Sequence, residues 1–166
     1  MKLPLIILGL GNNILGDDAA GILVAEKLGK KLKDFSLIKV ESTSLGGLRI
    51  IDFLKNYNSA ILIDSIRTGL KPAGYIHKFS NKDFVNSIKM VSYHNLNFST
   101  AIEFAKKIGI PMPEEIFIYA IESKSISEFT YKISVEVKYA INKCADEIYS
   151  FVFNELKKEN LQLTRV

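Results

Sequence analysis

Residues 5–21 read LIILGLGNNILGDDAAG. Leu5-Ile6-Ile7-Leu8 is an unbroken apolar run, of the kind a parallel sheet buries on both faces. The run breaks at Gly9-Leu10-Gly11-Asn12-Asn13, sets Asp17 and Asp18 side by side, and passes into helical periodicity. This order predicts a strand, a glycine-rich turn, and a helix that starts on two carboxylates. In open α/β sheets ligands bind outside the carboxyl ends of the strands. The stretch therefore places two acids where a ligand is expected.

The same alternation continues outward. After the first strand, a helix is predicted over about 18–32, with Val24, Ala25, Leu28 and Leu32 on one face and Glu26, Lys27, Lys30 and Lys31 on the other. Acids at its start suit the positive end of the helix dipole, and Gly21 lets the helix lie close to a sheet. A second strand is expected over about 37–42, then a helix turning Leu48, Ile51 and Leu54 inward. Ala60-Ile61-Leu62-Ile63 is a buried strand ending in Asp64-Ser65, and 75–79 alternates as an edge strand. A helix opening near His94 turns Phe98, Ala101, Ile102, Ala105 and Ile108 inward and stops at Gly109 and Pro111. A last strand covers about 115–121, a polar loop follows, and a long helix buries Val137, Ala140, Ile141, Cys144, Ile148, Phe151 and Val152. The pattern predicts a three-layer α/β/α sandwich with a mostly parallel, twisted sheet of about five strands. One domain spans 1–166, fraying from about 157.

Bulk composition narrows the function classes. Lys and Arg number 22 and Asp and Glu 18, a net charge of +4 without a dense basic block, so no nucleic-acid partner is expected. Cys144 is the one cysteine, so no internal disulfide forms, which fits a reducing, cytoplasmic compartment. The opening apolar run leads into Asp-Asp and an amphipathic helix, as a first strand does and a signal peptide does not. No run reaches the ~18 apolar residues of a membrane span.

Parallel strands bring the residues after strands one, two and three to one edge: Asp17 and Asp18, Glu41, and Asp64, with His94 at another helix start. Two carboxylates and an imidazole can hold a divalent metal ion with positions left open. Other roles stand beside this one. Asp17 reads as a cap or turn residue; Asp18 and His94 are as readily structural as functional. Asp64, following a buried strand, would be costly without a partner. His77 reads as solvated beside Lys78, and Cys144 as core. No Gly-x-Ser-x-Gly elbow and no His-Glu-x-x-His helix occurs. The dinucleotide fingerprint fails at Ile14, where its third glycine belongs.

These segments together resemble the hydrogenase maturation endopeptidases, which trim the large subunit of nickel-iron hydrogenases. The resemblance runs from Leu8-Gly9-Leu10-Gly11-Asn12 through Asp17-Asp18 to Gly21, then Ser44-Leu45-Gly46, Ile61-Leu62-Ile63-Asp64-Ser65, Ser92-Tyr93-His94-Asn95-Leu96 and Ile118-Tyr119-Ala120-Ile121-Glu122. It implies that Asp18, Asp64 and His94 contact the metal and serve catalysis, with Glu41 joining them where the family often has Asp. It further implies a nickel-loaded [NiFe]-hydrogenase large-subunit precursor as partner, with the nickel brought by that precursor; another divalent metal can occupy the site in vitro. Two alternatives stay open: a peptidyl-tRNA hydrolase-like esterase, whose opening Gly-Leu-Gly-Asn is similar, and a non-catalytic escort that binds nickel or precursor.

Overall fold

The computed structural model describes residues 1–80, 98–124 and 130–158. Its elements are β1 (Leu5–Leu10), α1 (Ala20–Leu32), β2 (Ile38–Thr43), α2 (Ile50–Leu54), β3 (Ser59–Ile66), β4 (Ile76–Ser80), α3 (Phe98–Lys107), β5 (Glu115–Glu122) and α4 (Val135–Lys158). The five strands form one sheet in the order β2-β1-β3-β5-β4. β2, β1, β3 and β5 run parallel, and β4 closes the sheet as an antiparallel edge. The sandwich and its mostly parallel sheet are as the sequence predicts.

Residues of each central strand alternate between two cores. Leu5, Ile7, Ile61, Ile63 and Ile121 pack with Val24 and Leu28 of α1 and with Ile141, Cys144 and Ile148 of α4. Ile6, Leu8, Leu62, Ile66, Ile118 and Ala120 pack with Ile51 and Leu54 of α2 and with Phe98, Ala101 and Ile102 of α3. With helices on both faces, every residue of β1 and of β3 is buried, which is why those strands read as continuous apolar runs.

Successive crossovers leave β1 on opposite sides. The chain passes from β1 through α1 to β2 on one flank, then through α2 to β3 on the other. The gap between the carboxyl ends of β1 and β3 is thus a topological switch point, where such sheets open a ligand crevice. α1 approaches this gap closely. A Cβ on Gly21 would strike the carbonyl oxygens of Leu10 and Ile63, one on each bordering strand, so the close helix start expected at Gly21 is borne out.

Several expectations are corrected. Leu48 is 54% exposed because a 3-10 turn over Gly47–Arg49 precedes α2, and Ile50 takes the inward place beside Ile51 and Leu54. Ile108 is also 54% exposed, lying beyond the last residue of α3. Asp64 does not follow β3 but lies inside it, because β3 continues past β1 and pairs only with β5 from Asp64 to Ile66. His77 is buried rather than solvated, for a reason given below. The tail from 159 lies outside the described residues.

Candidate functional site

The turn after β1 is built to present Asp18. Asn12 accepts the N–H of Ile14 on Oδ1 (3.1 Å), and its carbonyl accepts the N–H of Leu15, the side-chain-closed turn that asparagine favours. Gly11 has φ 148°, and a Cβ there would collide with the carbonyl oxygen of Asp18. The chain then tightens into a 3-10 turn over Gly16–Ala19, where Asp17 and Asp18 are both buried.

The two acids part company in their bonds. Asp17 Oδ1 accepts the N–H of Ser134 (2.7 Å), and its Oδ2 accepts the N–H of Lys124 (3.1 Å) and the hydroxyl of Ser134 (3.0 Å). Asp17 therefore has the structural role read for it in the sequence, but not as a cap of its own helix, which has no side-chain cap bond: it fastens the turn to the end of β5 and to the residue before α4. Asp18 points the other way: its Oδ1 accepts the Ser65 hydroxyl at 2.7 Å. Ser65 also donates its backbone N–H to Asp64 Oδ1 at 2.8 Å.

Asp18 and Asp64 are thus joined through one residue, at the switch point between β1 and β3. They are 1% and 2% exposed. Two carboxylates this deep can hold a cation or share a proton, since burial without a compensating charge or donor is expensive. Their oxygens form a hard donor pair suited to a divalent ion. Among the described residues no three His, Cys, Asp or Glu side chains gather closely enough to hold a metal by themselves. A further ligand must come from elsewhere, and His94, the expected third member, lies outside the described residues.

Glu41 stands apart. It is level with Leu8 and Leu62 across the sheet, one pleat short of Asp64 and on the far side of β1. Its side chain is 37% exposed and pairs with Lys39 at 3.4 Å.

Two groups were not legible as site residues. Ser65 links the acids, yet only its place next to Asp64 hinted at this. Glu122 and His77 form a buried pair at 2.8 Å, 1% and 9% exposed. On an edge strand one face still meets the layer beneath it, and His77 shares that face with Ala120, its partner on β5. That inward face is what the solvated reading overlooked.

Fold and site together define a doubly wound α/β domain with a buried carboxylate pair at its switch point. A family model described as hydrogenase maturation protease matches residues 22–151. The chain belongs to the hydrogenase maturation protease family. Asp64, Glu41 and His94 fall within the matched range, and Asp17 and Asp18 just before it. The chain is similar to the hydrogenase expression/formation protein HupD of Thiocapsa roseopersicina, 20% identical over 140 residues. That likeness covers 82% of this chain, which spans 62% of the length of that curated relative. In fold it resembles the hydrogenase maturating endopeptidase HybD from E. coli, with a TM-score of 0.77, 16% identity, and 91% of this chain and 93% of that one covered. It also resembles the [NiFe] hydrogenase maturation protease HybD from Thermococcus kodakarensis, with a TM-score of 0.69, 22% identity, and 89% and 97% covered.

Proposed function

We propose that this chain is an endopeptidase that removes the C-terminal extension of a nickel-loaded [NiFe]-hydrogenase large-subunit precursor. The observation that carries the reading is the convergence of Asp18 and Asp64 through Ser65 in a switch-point crevice, in a chain of the hydrogenase maturation protease family.

Asp18 and Asp64, with His94, are assigned to contact the nickel that the precursor brings. Ser65 ties the two acids together by donating to one oxygen of each. Glu41, half-exposed on the neighbouring strand, is assigned to the outer side of the crevice, where it meets the precursor body. Nickel held there supplies a Lewis acid that polarises a carbonyl or lowers the pKa of a water. The buried carboxylates hold that metal, and a separate acid–base group accepts the proton of the attacking water. No nucleic acid or membrane enters this scheme. No described helix is long and apolar enough to cross a membrane, and the single cysteine agrees with a cytoplasmic reaction.

The test is a cleavage assay on candidate large-subunit precursors, with and without nickel, reading the released peptide by mass. A single cut confined to nickel-loaded precursor is expected. Stable binding without cleavage would replace the endopeptidase with the escort reading.

A further inference from the structure

Glu122 ends β5, and its two oxygens accept four donors. Oε1 takes the N–H groups of Thr68 (2.7 Å) and Gly69 (2.9 Å), while Oε2 takes the Thr68 hydroxyl (2.7 Å) and His77 Nε2 (2.8 Å). Burial pushes this carboxyl up, but the Thr68, Gly69 and His77 donors outweigh it and hold it below the ordinary glutamate range. An ionised carboxylate has no hydrogen to give, so Nε2 of His77 carries one. In the neutral ring Nδ1 then holds the lone pair, and among the described residues it has no hydrogen-bond partner. The ring is fixed between Tyr75, edge-on at 4.8 Å, and Phe79, stacked at 6.1 Å.

The register ties this pair to the candidate site. Asp64 pairs with Ala120, and Ala120 pairs with His77. The three stand in one row across the sheet with their side chains on one face. Two strand spacings, about 10 Å, separate the Cα atoms of Asp64 and His77, and the side chain between them in that row is the methyl of Ala120, buried in the α2–α3 core.

We propose that His77, oriented by Glu122, is the proton carrier for peptide hydrolysis at this site, an inference that rests on the endopeptidase reading. Nδ1 takes a proton from the attacking water as its oxygen bonds to the scissile carbonyl carbon. Glu122 stabilises the resulting imidazolium. When the C–N bond breaks, Nδ1 returns that proton to the leaving nitrogen. The hydroxyl of water ends on the new carboxyl group and its hydrogen on the new amine, so His77 finishes as it began. An imidazole steered by a carboxylate is the arrangement general acid–base catalysis uses elsewhere.

Glu122 also clasps the 67–75 loop, so stability alone cannot test the idea. His77→Gln keeps a donor for Oε2 but no base. With nickel-loaded precursor, an unchanged KM, a near-normal melting curve and a kcat at least ~100-fold lower are expected. Wild-type kcat in a folded His77→Gln protein overturns the proposal, whatever its melting point. The chain has two histidines, so 15N-histidine labelling of the wild type, assigned with His94→Ala, gives a second reading independent of the variant's folding. An Nε2–H tautomer, set by the bond to Glu122, is expected; an Nδ1–H tautomer overturns the proposal. A wild type that cleaves no precursor sinks the endopeptidase reading as well, whereas an active wild type with an equally active His77→Gln sinks the proton carrier alone.

Discussion

Asp17 and Asp18 are neighbours with different work, and substitution should separate them. Asp17 accepts three part-buried hydrogen bonds from Lys124 and Ser134, so Asp17→Ala leaves those donors without their acceptor. A loss of about 2–3 kcal/mol is expected, since bonds to a charged group are worth roughly 1.5–3 each and partly relax to water. In a domain of this size that is a fall of roughly 5–10 °C in melting temperature, with precursor cleavage retained below it. Asp18→Asn keeps an oxygen for the Ser65 hydroxyl while removing the charge. It should melt near the wild type and cleave nickel-loaded precursor at least ~100-fold more slowly; calorimetry beside a cleavage time course checks both. Equal cleavage by wild type and Asp18→Asn would remove Asp18 from the site. Cys144 marks the opposite case, a residue whose chemistry is suppressed. Burial in the α1–α4 core, with Glu147 nearby, pushes its thiol up to about 12. A thiol-specific reagent at pH 8 should therefore leave the native protein unlabelled and modify one site only after denaturant is added.

Elements were legible where a physical constraint was strong. β1 and β3 announced themselves because burial on both faces gives each a continuous apolar run, Leu5–Leu8 and Ala60–Ile63, and α1 because one face is charged. The errors fall where tertiary contacts decide. Leu48 sits in a 3-10 turn that sequence periodicity does not distinguish from a helix start, and His77 lies on the covered side of an edge strand whose polarity looked exposed. The meeting of Asp18 with Asp64 followed from topology, but the serine that bridges them did not, because a hydroxyl has no pattern of its own. Gly21 was legible as a close approach, and its cost can be predicted. A methyl there meets backbone on both sides, from Leu10 and Ile63, and backbone cannot rotate away as a side chain does. Gly21→Ala should cost about 3 kcal/mol, read by urea denaturation, and should lower activity by prising α1 from the crevice; an unchanged midpoint would mean that the α1 start is looser than described. The Glu122 clasp predicts an acid response. In the folded protein its carboxyl is held below the ordinary glutamate value of 4.5. The folded state therefore gains stability above about pH 4.5, and that gain fades as pH falls through the lowered value, where the folded state must also take up the proton. Between pH 5 and 3, Glu122→Gln should lose less stability than the wild type, so that the two denaturation midpoints converge in acid.

Across the whole molecule, the site rests on the strands with the deepest burial. Every residue of β1 and β3 is buried, whereas β2 and β4 alternate and flank the sheet. Opening β1 or β3 requires both cores to separate, which is global unfolding; opening an edge strand exposes one neighbour only. Native-state hydrogen exchange should therefore give the amides of Ile6–Leu8 and Ile61–Asp64 the full unfolding free energy. Those of β2 and β4 should exchange earlier, with smaller denaturant dependence. The consequence for chemistry is that Asp64 and Ser65 are carried on an element that does not move in the native state, and Asp18 is tied to them through Ser65. On the proposed reading, a preformed acid pair receives a precursor without first being assembled, and preorganised groups are worth most in a water-poor pocket. If exchange showed Ile61–Ser65 opening as readily as β4, the carboxylates would be mobile in the free protein. Their alignment would then have to be supplied by the precursor on binding.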